Sequence, residues 1–115
     1  MRESRDRNGI KMKHRPTSFG SIHTCYNEQG EILYEELVFE REGRGHTHNQ
    51  WENCLITEGS GIIMIKEEKI RVTKGQWCHI PPGANHWMIP SETPFKLTLT
   101  YSHMPSQKPP FTGKK

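Results

Sequence analysis

Little of this 115-residue sequence is apolar: hydrophobic side chains make up 31% of it. The longest uninterrupted apolar run is Ile62-Ile63-Met64-Ile65, far short of the roughly 20 residues that a membrane-spanning helix needs. No membrane partner is therefore expected. The N-terminus is charged and lacks an apolar h-region, so no secretory signal is expected either. Cysteine is scarce. Cys25, Cys54 and Cys78 show neither zinc-type nor redox spacing, and their odd number with no signal predicts reduced thiols in a cytoplasm. No segment reads as a helix. A chain of this length makes one domain. A core this thin predicts apolar surface shared with a second copy, as in a homodimer.

The net charge of +3 is unevenly spread. Residues 1–16 hold six Arg/Lys against two Asp/Glu, and residues 105–115 add three lysines. The stretch 17–104 holds seven basic and eleven acidic side chains. The body is thus mildly acidic and the ends are basic. A nucleic-acid partner needs a basic face on a folded element, which this distribution does not provide. Residues 1–16 and 105–115 are expected to be flexible tails, and 17–104 the folded domain.

What the sequence does contain is alternation. Ser21 to Tyr26, a turn at Asn27-Glu28-Gln29-Gly30, and the run from Glu31 predict a hairpin. Leu33, Leu37 and Phe39 fall on one face of a half-buried strand. Gly45 to Asn49 is expected to be a short strand, and another starts at Trp51 and ends at Gly59-Ser60-Gly61. Ile62–Lys66 and Lys69–Val72 predict a hairpin across Glu67-Glu68. Trp77–Ile80 and Phe95–Tyr101 complete the set. Short strands with Gly and Pro at the turns predict an all-β sandwich or barrel.

Four residues then stand out: His46, His48, Glu52 and His86. Strand side chains alternate, so His46 and His48 project together from Cα atoms about 6.5 Å apart. Three imidazoles and one carboxylate can hold one divalent transition metal and leave positions open for chemistry. Neutral His and ionised Glu favour binding above about pH 6.5.

The frame around these residues resembles the cupin family, whose motifs are G-x5-H-x-H-x3,4-E-x6-G and G-x5-P-x-G-x2-H-x3-N. His46, His48, Glu52 and Gly59 fit the first motif at its spacing, and Gly75, Pro81, Gly83 and His86 fit the second. Glu40 stands where the first motif has its leading Gly, and Pro90 where the second has Asn; neither position is a metal ligand in the family. The resemblance implies a double-stranded β-helix, a small jelly-roll barrel, over residues 17–104. It implies one divalent transition metal per chain, with Fe(II) first and Mn, Ni or Zn behind. It also implies a small-molecule ligand or substrate. Dioxygenases, redox-neutral isomerases and lyases, and non-catalytic sugar or small-molecule binders all occur in the family, so fold analogy cannot choose among them. A dioxygenase-type metalloenzyme is the first expectation.

Around the four residues lie weaker candidates. His79 and His103 are possible acids or bases, although a satisfied or exposed histidine is the commoner case. Tyr34 and Tyr101 are candidates to donate to a substrate oxygen or to pack in the core. Arg41 and Arg44 are candidates for a substrate carboxylate. Cys54 shares the parity of Glu52, and Trp51, Trp77 and Trp87 have the parity of the outer face. No catalytic residue is singled out.

Overall fold

In the computed structural model, which describes residues 2–5 and 10–107, these alternating segments form eight strands. They are β1 (Arg2–Arg5), β2 (Lys11–Pro16), β3 (Gly20–Tyr26), β4 (Ile32–Phe39), β5 (Trp51–Ile65), β6 (Glu68–Thr73), β7 (Trp77–Ile80) and β8 (His86–Ser102). No helix occurs among the described residues, and hence none long and apolar enough to cross a membrane. The fold is all-β and antiparallel, a jelly roll in which neighbours run β1-β2-β3-β4-β8-β5-β6 and β7 pairs with β5.

Two long strands organise it. β5 and β8 pair from Trp51↔Ser102 to Ile65↔His86. The first half of β5 takes β7 on its other side, from Glu52↔Ile80 to Leu55↔Trp77. Its second half takes β6, from Ser60↔Thr73 to Ile65↔Glu68. Register shifts between Ile56 and Gly61 bend the pair, so that its two halves belong to different faces of the roll. The bend falls where side chains are missing. Gly59 has φ +77°, and a Cβ there would lie 2.5 Å from the Pro94 carbonyl oxygen. A Cβ on Gly61 would lie 2.6 Å from both the Ile89 oxygen and the Phe95 ring. Glycine is what lets the strands close at this corner.

The inward side chains fill the interior. Ile56, Ile63, Ile80, Met88, Phe95, Leu97 and Leu99 are fully buried. Phe19 stacks on Phe39 with ring centroids 4.3 Å apart, and Phe39 tilts against Phe95 at 6.2 Å. The aromatic row carries the core out toward the β3–β4 side.

Several expectations need correction. Residues 1–16 are not simply a flexible tail: β2 pairs with β3 from Lys11↔Tyr26 to Pro16↔Ser21, and β1 pairs with β2. Backbone hydrogen bonds need no apolar side chains, so a polar segment can extend a sheet. β5 does not end at Gly59–Gly61 but bends there and continues to Ile65. The following turn is Lys66-Glu67, with Lys66 at φ +56°. β8 starts at His86, well before Phe95. Of Gly45–Asn49 only His46 pairs, in an isolated bridge with His86. Leu33 is exposed while Tyr34 is buried; Leu33 sits at the register shift between the Cys25↔Tyr34 and Tyr26↔Ile32 pairs. The expected C-terminal tail falls mostly outside the described residues. Its first part folds back: the Ser106 amide donates to Asn53 Oδ1 at 3.0 Å.

Candidate metal centre

The backbone places the ligand candidates before any side chain acts. His46 and His86 exchange both main-chain hydrogen bonds, N to O at 3.1 and 3.0 Å. One turn away, the Gly83 amide of the Pro-Pro-Gly turn donates to the His48 oxygen at 2.8 Å, and the Gly43 amide to the Met88 oxygen at 2.9 Å. The loop before β5 is therefore fastened to the start of β8. Glu52 enters from β5, where it faces Ile80 of β7 and Tyr101 of β8. Residues from both halves of the roll thus meet in its interior.

All four predicted residues come together. One donor atom from each of His46, His48, Glu52 and His86 lies within 4.8 Å of the others. Glu52 Oε1 is 3.1 Å from His48 Nε2 and 3.2 Å from His86 Nε2. With bonds of about 2.1 Å, two ligands at right angles on one ion sit roughly 3.0 Å apart. The observed spacings match that figure. Glu52 and His86 are buried, His48 is half-buried and His46 is exposed.

Tautomers follow from the outer hydrogen bonds. His46 Nδ1 donates to the Arg44 carbonyl at 3.0 Å and His86 Nδ1 to the Ala84 carbonyl at 2.9 Å. Each neutral ring then presents a bare Nε2 inward, as metal-binding histidines do. Glu52 Oε1 and His86 Nε2 are buried with no hydrogen-bond partner. Two lone pairs facing each other at 3.2 Å are unfavourable unless a cation, or a second proton on His86, lies between them. The residues therefore fit a divalent transition metal.

Electrostatics agree. Burial alone pushes the Glu52 carboxyl up, but the close His48 and His86 imidazoles outweigh it and hold the group at about 2. Burial pulls the His86 imidazole down, yet the adjacent Glu52 carboxylate prevails and raises it. Burial lowers His46. Cys54 is in the core, its Sγ 3.5 Å from Glu52 Oε2. Burial and then the Glu52 charge push the thiols up, Cys54 well above its ordinary value and Cys78 to about 11. Protonated thiols are poor ligands and poor nucleophiles.

A cavity of about 340 Å³ opens beside His46 and His48. Phe19, Ile22, Leu37, Phe39, Met88 and Leu99 give it apolar walls, and Arg15, Arg44, Glu35 and Tyr101 add polar groups. Arg44 is thus at the cavity, whereas Arg41 is not: its Nε donates to the Ser18 oxygen at 3.0 Å. Tyr101 lines the cavity; Tyr34 is buried elsewhere. His79 lies on β7, paired with Asn53 of β5 and away from the cavity, and its Nδ1 donates to Asn53 Oδ1 at 2.9 Å. His103 is exposed, and no tryptophan lines the cavity. Glu35 and Arg15 did not emerge from the sequence. Glu35 has the parity of Leu37 and Phe39, so an acid at an inward strand position was the available signal. Arg15 lay in the segment expected to be flexible.

Comparisons with known proteins agree with this fold. Residues 33–101, from β4 to β8, match the family model described as the cupin domain. No curated protein matches the chain. Among solved structures, a cupin-2 domain containing protein from Shewanella frigidimarina is 24% identical, with a TM-score of 0.53 over 57% of this chain and 65% of that one. KdgF from Halomonas sp. is 16% identical, with a TM-score of 0.53 over 86% and 83% of the two chains. Oxalate decarboxylase of Bacillus subtilis, studied for its Mn(II) centres, is 16% identical with a TM-score of 0.64. That match covers 78% of this chain and 27% of the decarboxylase. At these identities the likeness shows the fold alone.

Proposed function

The chain belongs to the cupin family, and on that premise we propose that it is a small-molecule metalloenzyme of dioxygenase type. In this proposal His46, His48, Glu52 and His86 hold one divalent transition metal, Fe(II) first. The observation that carries it is the pair of buried, unpartnered atoms Glu52 Oε1 and His86 Nε2 in a four-donor cluster beside a cavity. Burying such groups without a partner costs free energy, and a bound cation removes that cost.

When bound, the ion supplies Lewis acidity and, as iron, a place for dioxygen. The chain supplies the rest. Arg44 and Ala84 carbonyls fix the imidazoles. The apolar walls exclude water and receive a hydrocarbon body. Arg15 and Arg44, both exposed at the cavity, attract an anionic group on the ligand. The Mn(II) centres of the Bacillus subtilis decarboxylase keep Mn beside Ni and Zn among the ions to assay.

A redox-neutral isomerase or lyase is the second reading, favoured by a carboxylate, Glu35, in the same cavity. One set of experiments separates the two. Protein purified without chelator is expected to carry close to one transition metal per chain, and the Fe(II) form to consume oxygen only when a substrate is added. Turnover by Zn or Mn forms without oxygen uptake would favour the second. A metal-free protein that no ion restores would remove both.

A further inference from the structure

Across the cavity from the imidazoles, Glu35 on β4 is held in an unusual way. Its Oε2 accepts a hydrogen bond from Thr24 Oγ1 and its Oε1 one from the Tyr101 hydroxyl, both at 3.0 Å. β3, β4 and β8 each contribute one of these three residues, paired in register as Thr24↔Glu35 and Glu35↔Leu99. Among the described residues no cation pairs with Glu35. Each carboxylate oxygen has a second lone pair to offer. Glu35 is half-buried and lines the same cavity as His46 and His48. Tyr101 spans the gap between the two sides: its ring meets the His48 ring edge-on, with centroids 5.1 Å apart, while its hydroxyl reaches Glu35.

A carboxylate fixed by neutral donors, free of any ion pair, and lining a mostly apolar cavity next to the four candidate metal donors is placed to exchange a proton with a ligand. We infer that Glu35 is a catalytic acid–base group that takes the proton of a hydroxyl on a small chelating substrate with an apolar body. Thr24 and Tyr101 are positioning residues that hold its carboxylate. The substrate O–H bond breaks and its electron pair stays on the substrate oxygen. The proton forms a new O–H bond on Glu35 and returns to the product or to water, so the step needs no oxidant. The walls ask for a hydrocarbon body against Leu37, Met88 and Leu99 and a hydroxyl facing Glu35; the metal reading adds oxygen donors for the ion. This inference rests on the metal reading.

The test uses full-length protein loaded with Zn(II), which is redox-inert, and 4-nitrocatechol, a protic chelator whose ionised form is coloured. Zinc content is measured first, then the rate at which the band of the fully ionised probe appears on mixing at pH 7. Glu35→Gln is expected to slow that rate by roughly 100-fold, because the amide cannot take the hydroxyl proton. Glu35→Asp, which keeps the acid, is expected to stay close to wild type even if Glu35→Gln folds poorly. Equal rates for wild type and Glu35→Gln at equal zinc content would overturn the assignment. So would Zn-loaded wild type that does not bind the probe, or Glu35→Asp as slow as Glu35→Gln. A wild-type protein that takes up no zinc would fail earlier, at the metal reading, and carry this inference down with it.

Discussion

His86 is fixed by Nδ1 to the Ala84 carbonyl and directs an unpartnered Nε2 at Glu52. His86→Ala should therefore reduce metal affinity by more than the roughly 10–100-fold that loss of an outer hydrogen-bond partner costs, as measured by titration with one metal. Glu52 supplies the only formal negative charge among the four donors, so Glu52→Gln should weaken the same titration while the circular dichroism stays that of the native sheet. Metal-free protein offers a second check on Glu52. Its carboxyl is held at about 2 in the fold against an ordinary 4.5. A depressed folded value means stability present above 4.5 and lost as pH falls toward 2. Urea resistance of metal-free wild type should fall more steeply across that window than that of Glu52→Gln; parallel curves would deny the coupling. The four residues were legible in the sequence because their types and spacing follow the two cupin motifs. Glu35 and Arg15 were not, because cavity walls are assembled from separate strands and nothing local marks them.

The strands show where period alone falls short. Alternation located β3, β4 and β7, but it split β5 and β8 at their glycine and proline positions. Those residues signal a turn in isolation. In the roll they are the corner where a long strand passes from one face to the other. Gly61→Ala should thus cost about 1–3 kcal/mol in urea unfolding, because its Cβ would press on the Ile89 oxygen and the Phe95 ring. β2 was missed for a different reason. Its side chains are largely polar, and its place comes from backbone pairing with β3. Deleting residues 1–16 should leave metal content intact, since no ligand is lost, yet lower the unfolding midpoint by uncovering the edge of β3. Loss of metal from a folded 17–115 chain would show that the N-terminal strands close the site.

At the scale of the molecule, one roll of this size leaves apolar side chains outside. Ile32, Leu33 and Met104 are exposed by 50%, 37% and 71%, and β6 ends the sheet with an open edge. We expect a homodimer to cover part of this surface. Light scattering at micromolar concentration should return twice the chain mass, and a monomeric mass would contradict it. Class of fold was readable from turn chemistry and strand length, whereas subunit contacts depend on surfaces that only the folded chain assembles.

The doubly bonded bridge between His46 and His86 has a consequence for how such a centre changes over time. The main chain, not the imidazoles, sets where these two positions sit. Side chains there can be exchanged as parts on a fixed mount. A carboxylate in place of His46 would move preference toward harder ions and a thiolate toward softer ones, with the architecture untouched. On this backbone a single substitution would retune the choice of an ion held there.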